Sequence, residues 1–166
     1  MPARLILTML SLSLICSACG FQLREGAELP PEMAQTQLVI DDLNSTLARR
    51  VRVLLEQGGV SFVGKNRATA LLEIPVNNVV TEVLTVGDNA RVREYRVTHT
   101  VKFRVTDAEG KEIIPMQTMR QAREISFDEQ EILATSREQE YLKKDLAETL
   151  SRLLVTRLES AGGTRG

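Results

Sequence analysis

The stretch RVREYRVTHTVKFRV, residues 91–105, decides how the rest of the chain is read. Tyr95, Val97, His99, Val101, Phe103 and Val105 alternate with Glu94, Arg96, Thr98, Thr100, Lys102 and Arg104. A repeat of two places the first set on one face of a β-strand and the second on the other. The segment is therefore expected to be the central strand of a sheet with one apolar and one polar face. Upstream, Leu71 to Val83 offers Leu72, Ile74 and Val76, then Val79, Thr81 and Val83. That alternation changes phase at Asn77-Asn78, which predicts a bulge there. Gly87-Asp88-Asn89 marks the turn between the two strands. Downstream, Asp107 to Gly110 reads as a hairpin connection, and Glu112 to Phe127 as a return strand that Pro115 assigns to an edge or bulge.

Helical spacing appears on both sides of this β-rich centre. After a short apolar run at Gln37 to Ile40, a first strand, Asn44 or Ser45 can cap a helix. Its apolar stripe is Leu43, Leu47, Val51, Leu54 and Leu55, and Gly58-Gly59 ends it. Arg49, Arg50 and Arg52 point mostly away from that stripe, as a solvated face. The last element begins with Ser136-Arg137-Glu138-Gln139, which has the form of a capping box. Leu142, Leu146, Leu150, Leu153, Leu154 and Leu158 carry it to Ala161. The order β-α-β-β-β-α predicts an α+β two-layer sandwich, with both helices on one face of a roughly four-stranded sheet. The Arg, Lys and Thr face of the central strand is then either plain solvent surface or a surface that meets polar groups of a partner.

The amino terminus sets the compartment. Arg4, an apolar run from Leu5 to Ile15, and Ser17-Ala18 ahead of Cys19 form an export signal, too short for the roughly 20 apolar residues of a membrane span. Cleavage before Cys19 would discard Cys16, the only other cysteine, so neither a disulfide nor a CxxC pair survives. A small residue directly before a cysteine at such a boundary resembles the bacterial lipobox, with Cys16 where the pattern usually has Leu. Cys19 is thus the expected site of an N-acyl and S-diacylglycerol modification, a tether to outer-membrane lipid, Gly20 rather than Asp being the residue that follows. The expected organisation is a cleaved leader at 1–18, a lipidated arm at 19–36, a single domain at 37–161 and a disordered tail at 162–166.

Composition narrows the function. With 21 basic and 22 acidic side chains in 166 residues, no basic field advertises nucleic acid. His99 is the single histidine, on the apolar face of its strand, where a satisfied core residue is expected rather than a base or metal ligand. No serine stands in a G-x-S-x-G context and no glycine loop is built to cradle phosphate. No catalytic residue, metal site or cofactor is expected apart from the covalent lipid.

The lipobox, then CGFQLR (Cys19 to Arg24), then this order of elements with EYRV (Glu94 to Val97) opening the central strand, resembles the LptE family of lipopolysaccharide-assembly lipoproteins. The similarity runs over the whole chain after the leader. It implies a non-catalytic protein of the Gram-negative outer membrane, plugging the LptD β-barrel in a one-to-one complex, helping it assemble and contacting lipopolysaccharide. Arg96, Thr98, Thr100, Lys102 and Arg104 would then suit a polar barrel lumen. Arg91, Arg93 and Arg137 are candidates for the phosphates of lipopolysaccharide, because a guanidinium makes bidentate phosphate contacts. Where the family can carry a basic residue before the last helix, this chain has Thr135, with Arg137 two residues on. For each arginine a solvated charge is the other reading. The competing function is an outer-membrane lipoprotein for another envelope ligand or partner, or an unrecognised envelope hydrolase.

Overall fold

A computed structural model describes residues 29–86, 92–126 and 132–163. Its centre is the strand anticipated above, here β4 (Val92–Asp107). It pairs antiparallel with β3 (Ala70–Val86), from Ala70 opposite Asp107 to Val86 opposite Val92, and with β5 (Glu112–Ser126). β1 (Gln35–Ile40) lies parallel to β3, and a two-residue β2 (Ser61–Phe62) extends the edge beyond it. The five-stranded sheet has the order β2-β1-β3-β4-β5. Helices α1 (Thr46–Gln57) and α2 (Ile132–Gly163) pack side by side over one face, giving the α+β sandwich. β2 is the strand that sequence reading omits, since two residues carry no alternation.

The ends of α1 form by local chemistry. The Ser45 hydroxyl accepts from the Ala48 amide at 3.2 Å, so Ser45 and not Asn44 is the cap. At the other end Val60 N–H donates to Leu55 C=O and Gly59 N–H to Glu56 C=O, a Schellman closure. Gly59 takes φ 90° there, a conformation with little cost only for glycine. The β4–β5 hairpin uses the same device. Gly110 has φ 84°, and Asp107 Oδ1 accepts from the amides of Glu109 and Lys111.

The apolar face of β4 is the floor of the core. Val101, Phe103 and Val105 are buried against Leu47, Val51 and Leu55 of α1 and Leu150, Leu154 and Leu158 of α2. Each such side chain contributes about 1.5–3 kcal/mol by leaving water. A smaller cluster of Val97, Ile125, Leu146 and Leu142 continues beneath the first half of α2. Two residues of the predicted stripes stand outside it: Leu43 precedes α1 and Leu153 lies on the open side of α2, both exposed.

Three boundaries differ from the sequence reading. Of the three register shifts between β3 and β4, two lie beyond Val83 and the first lies between Glu73 and Val76, at Pro75 rather than Asn77-Asn78, because proline has no N–H to donate to the ladder. Residues 29–36, read as the end of an extended arm, belong to the fold. Pro31–Ala34 make a 3₁₀ turn that buries Met33, held by Thr36 Oγ1 to Met33 C=O and Thr69 Oγ1 to Glu32 C=O. Finally, α2 begins at Ile132, before the expected capping box, and runs to Gly163, into the stretch read as a tail.

Candidate partner-facing surface

β4 brings five of the predicted side chains to one face. Arg96, Thr98, Thr100, Lys102 and Arg104 alternate along it, opposite the face that carries the helices. Cross-strand pairing supplies their neighbours. Arg96 stands between Glu82 of β3 and Glu124 of β5, Thr98 between Val80 and Ala122, Thr100 between Asn78 and Arg120, and Lys102 between Val76 and Thr118, with Arg104 opposite Glu73.

Charge is neutralised at both ends of this row. Arg96 places Nε and Nη2 on Glu124 Oε1, at 3.0 and 2.6 Å. The Arg104 Nε donates to Glu73 Oε2. These carboxylates, by hydrogen bond and then by charge, hold both guanidiniums more firmly protonated than usual. Between them the row is polar but not salt-bridged. Lys102 is exposed, while Thr98 is only 3% exposed and its hydroxyl is buried with no hydrogen-bond partner. An unsatisfied hydroxyl in a sheet is unusual, and closed off from solvent it costs the fold a hydrogen bond.

Beside this face lies an edge that sequence reading missed. β1 pairs with β3 only as far as Ile74, so from there to Val86 β3 has β4 alone as a described neighbour. Val79, Val80, Val83 and Leu84 are exposed along it, Val83 at 50%. A long apolar edge of this kind invites another chain. The alternation of β3 shows these residues to be strand residues, but only the place where β1 stops makes them an edge among the described residues.

Of the remaining predicted residues, Arg137 stands away from this surface. Arg93 falls at the start of β4 and Arg137 is an exposed residue of α2, inside the helix. Arg91 and Cys19 lie outside the described residues. His99 sits on the helix side, 2% exposed, with Nε2 at 2.8 Å from Asn77 Oδ1. Burial lowers its pKa, as expected of a neutral core histidine. Among the described residues no three His, Cys, Asp or Glu side chains are grouped to hold a metal ion, and no helix is long and apolar enough to cross a membrane.

Solved structures with a similar fold include lipoproteins. The lipoprotein B of Nitrosomonas europaea superposes with a TM-score of 0.69 at 24% identity, covering 86% of this chain and 94% of that one. The rare lipoprotein B of Shewanella oneidensis gives 0.67 at 25% identity, over 78% and 97%. In sequence, the LPS-assembly lipoprotein LptE of Photorhabdus laumondii is 26% identical over 164 residues, 95% of this chain and 87% of its own. The lipopolysaccharide-assembly family LptE matches residues 31–158, which takes in every strand and almost all of α2. The chain belongs to the LptE family.

Proposed function

We propose that this chain is a non-catalytic, lipid-anchored subunit that docks one-to-one in the lumen of an LptD-type β-barrel and contacts lipopolysaccharide passing through it. The observation that carries the reading is the helix-free face of β4. Its two arginines are paired with carboxylates of the neighbouring strands, Thr100 and the exposed Lys102 stand between them, and an apolar edge runs alongside. Barrel lumens are polar, and a face of threonine and neutralised arginine enters one without burying uncompensated charge. Family membership supports the partner class.

In this reading Cys19 carries the N-acyl and S-diacylglycerol chains that hold the protein at the outer membrane after the leader is removed. One chain binds a membrane marginally and two or more hold it. Arg91, Arg93 and Arg137 reach the phosphates of lipopolysaccharide, and Arg96, Thr98, Thr100, Lys102 and Arg104 face the barrel wall.

The test is co-purification from gently solubilised outer membranes. The wild-type chain is expected to bring down a large β-barrel at equal stoichiometry. The Thr100→Glu and Lys102→Glu double variant should release it while keeping its circular dichroism spectrum. Recovery of the lipoprotein alone, or a variant that retains the barrel in full, would sink the assignment. Mass spectrometry of the amino-terminal peptide decides Cys19: three acyl chains are expected, and an unmodified thiol removes the tether.

A further inference from the structure

On the other side of the molecule the two helices carry an open, shallow cationic groove that the docking surface does not use. It has a volume of about 200 Å³ and is lined by Thr46, Arg49, Arg50 and Val53 of α1 and by Lys144 and Glu148 of α2. Glu148 lies 4.0 Å from Arg152, one turn along its own helix. Among the described residues, no carboxylate forms an ion pair with Arg49, Arg50 or Lys144. Arg50 is half-buried and its Nε is shut off from solvent without a hydrogen-bond partner.

This arrangement is costly to the fold on its own. Three like charges converge on one depression, where each repels the others, and a guanidinium N–H has given up water for nothing. The remaining surroundings add to the positive potential. The groove opens at the amino end of α1, which has no acidic residue in its first turn to offset the helix dipole. A second cavity of about 140 Å³ adjoins it through the shared Thr46 and Lys144, and brings Lys143, Glu140 and the buried His99 to its wall. Lys143 and Glu140 lie 3.9 Å apart and offset each other.

We propose that the groove between α1 and α2 binds a phosphate ester, held by the guanidiniums of Arg49 and Arg50 and the ammonium of Lys144. Charge selects this class. Three cations against the one carboxylate of Glu148 leave an excess matching the roughly −1.5 to −2 of a phosphate monoester, and a carboxylate ligand would leave part of it unmatched. Geometry agrees, because the guanidiniums of Arg49 and Arg50, neighbours on α1 and without a carboxylate partner among the described residues, can present N–H pairs to phosphate oxygens. The ester belongs either to a lipid headgroup or to a soluble phosphate.

The experiment uses the full chain in neutral detergent micelles, titrated with inorganic phosphate, or with phosphatidic acid doped into the micelles, while amide chemical shifts are followed. Phosphate is expected to shift Thr46 to Arg50 and Lys144, and the Arg50→Gln and Lys144→Gln double variant should weaken binding at least tenfold. Arg157→Gln, an exposed position elsewhere on α2, should leave it unchanged. Tighter binding of phosphatidic acid than of free phosphate at the same amides identifies a lipid headgroup, and equal binding identifies a soluble ester. No shift at these amides with either probe, or equal binding by the double variant and the wild type, overturns the proposal.

Discussion

Replacing Thr98 by valine tests what a stranded hydroxyl costs the fold. The threonine is 3% exposed in the middle of β4 and its hydroxyl has no partner. A hydroxyl taken out of water with no hydrogen bond costs about 1–3 kcal/mol. Valine keeps the volume and the β-branched shape that a strand favours, so Thr98→Val removes that cost and adds no cavity. The isolated chain should gain about 1–2 kcal/mol, an increase in Tm of roughly 3–6 °C for a domain of this size. Thr98→Ser serves as the control, because it keeps the hydroxyl and deletes the methyl, with an expected loss of about 0.5–1.5 kcal/mol. Urea unfolding followed by circular dichroism measures both. A loss of 1 kcal/mol or more in Thr98→Val would show that the hydroxyl is satisfied in the folded chain and would overturn this account of it.

The other predictions concern the helix side. Leu150→Ala empties a fully buried position where α2 meets the sheet and should cost about 2–5 kcal/mol in urea unfolding; a loss below 1 kcal/mol would contradict the packing described. Ser45→Ala removes the cap on α1 and should cost about 1 kcal/mol, with Ser45→Asp restoring it. Burial sets the His99 pKa below its ordinary 6.5, so as pH falls the unfolded chain takes up the proton first. The stability held by neutral His99 is complete above pH 6.5 and is lost below it, down to the folded value. The advantage of wild type over His99→Gln should therefore shrink between pH 7.5 and 5.5, and an advantage that grows on acidification would refute the assignment.

Residues 91–105 determined a great deal unaided, because strict alternation leaves a strand as the one conformation that gathers Val97, Val101 and Phe103 on a single face. The α1 stripe with its Gly58-Gly59 stop, the Asp107 to Gly110 hairpin and the leucines of α2 were legible for the same reason: each is written in neighbouring residues and enforced by backbone geometry. Other features depend on residues far apart in the chain, and periodicity carries no information about them. Nothing near Glu73 announces that Arg104 will be its partner, nor does the run Val79 to Leu84 show that β1 stops short and leaves it an edge. The solvated arginines of α1 are of the same kind. In sequence Arg49, Arg50 and Arg52 are alike, whereas the packing of α2 against α1 brings Arg49 and Arg50 beside Lys144 at one open groove and leaves Arg52 stacked over the Phe62 ring at 5.2 Å. Local periodicity thus determined the elements and the faces they present. Only the tertiary structure decided which charges meet, which hydroxyl is stranded and where two helices leave a groove, because those outcomes are set by distances between segments that the order of residues does not contain.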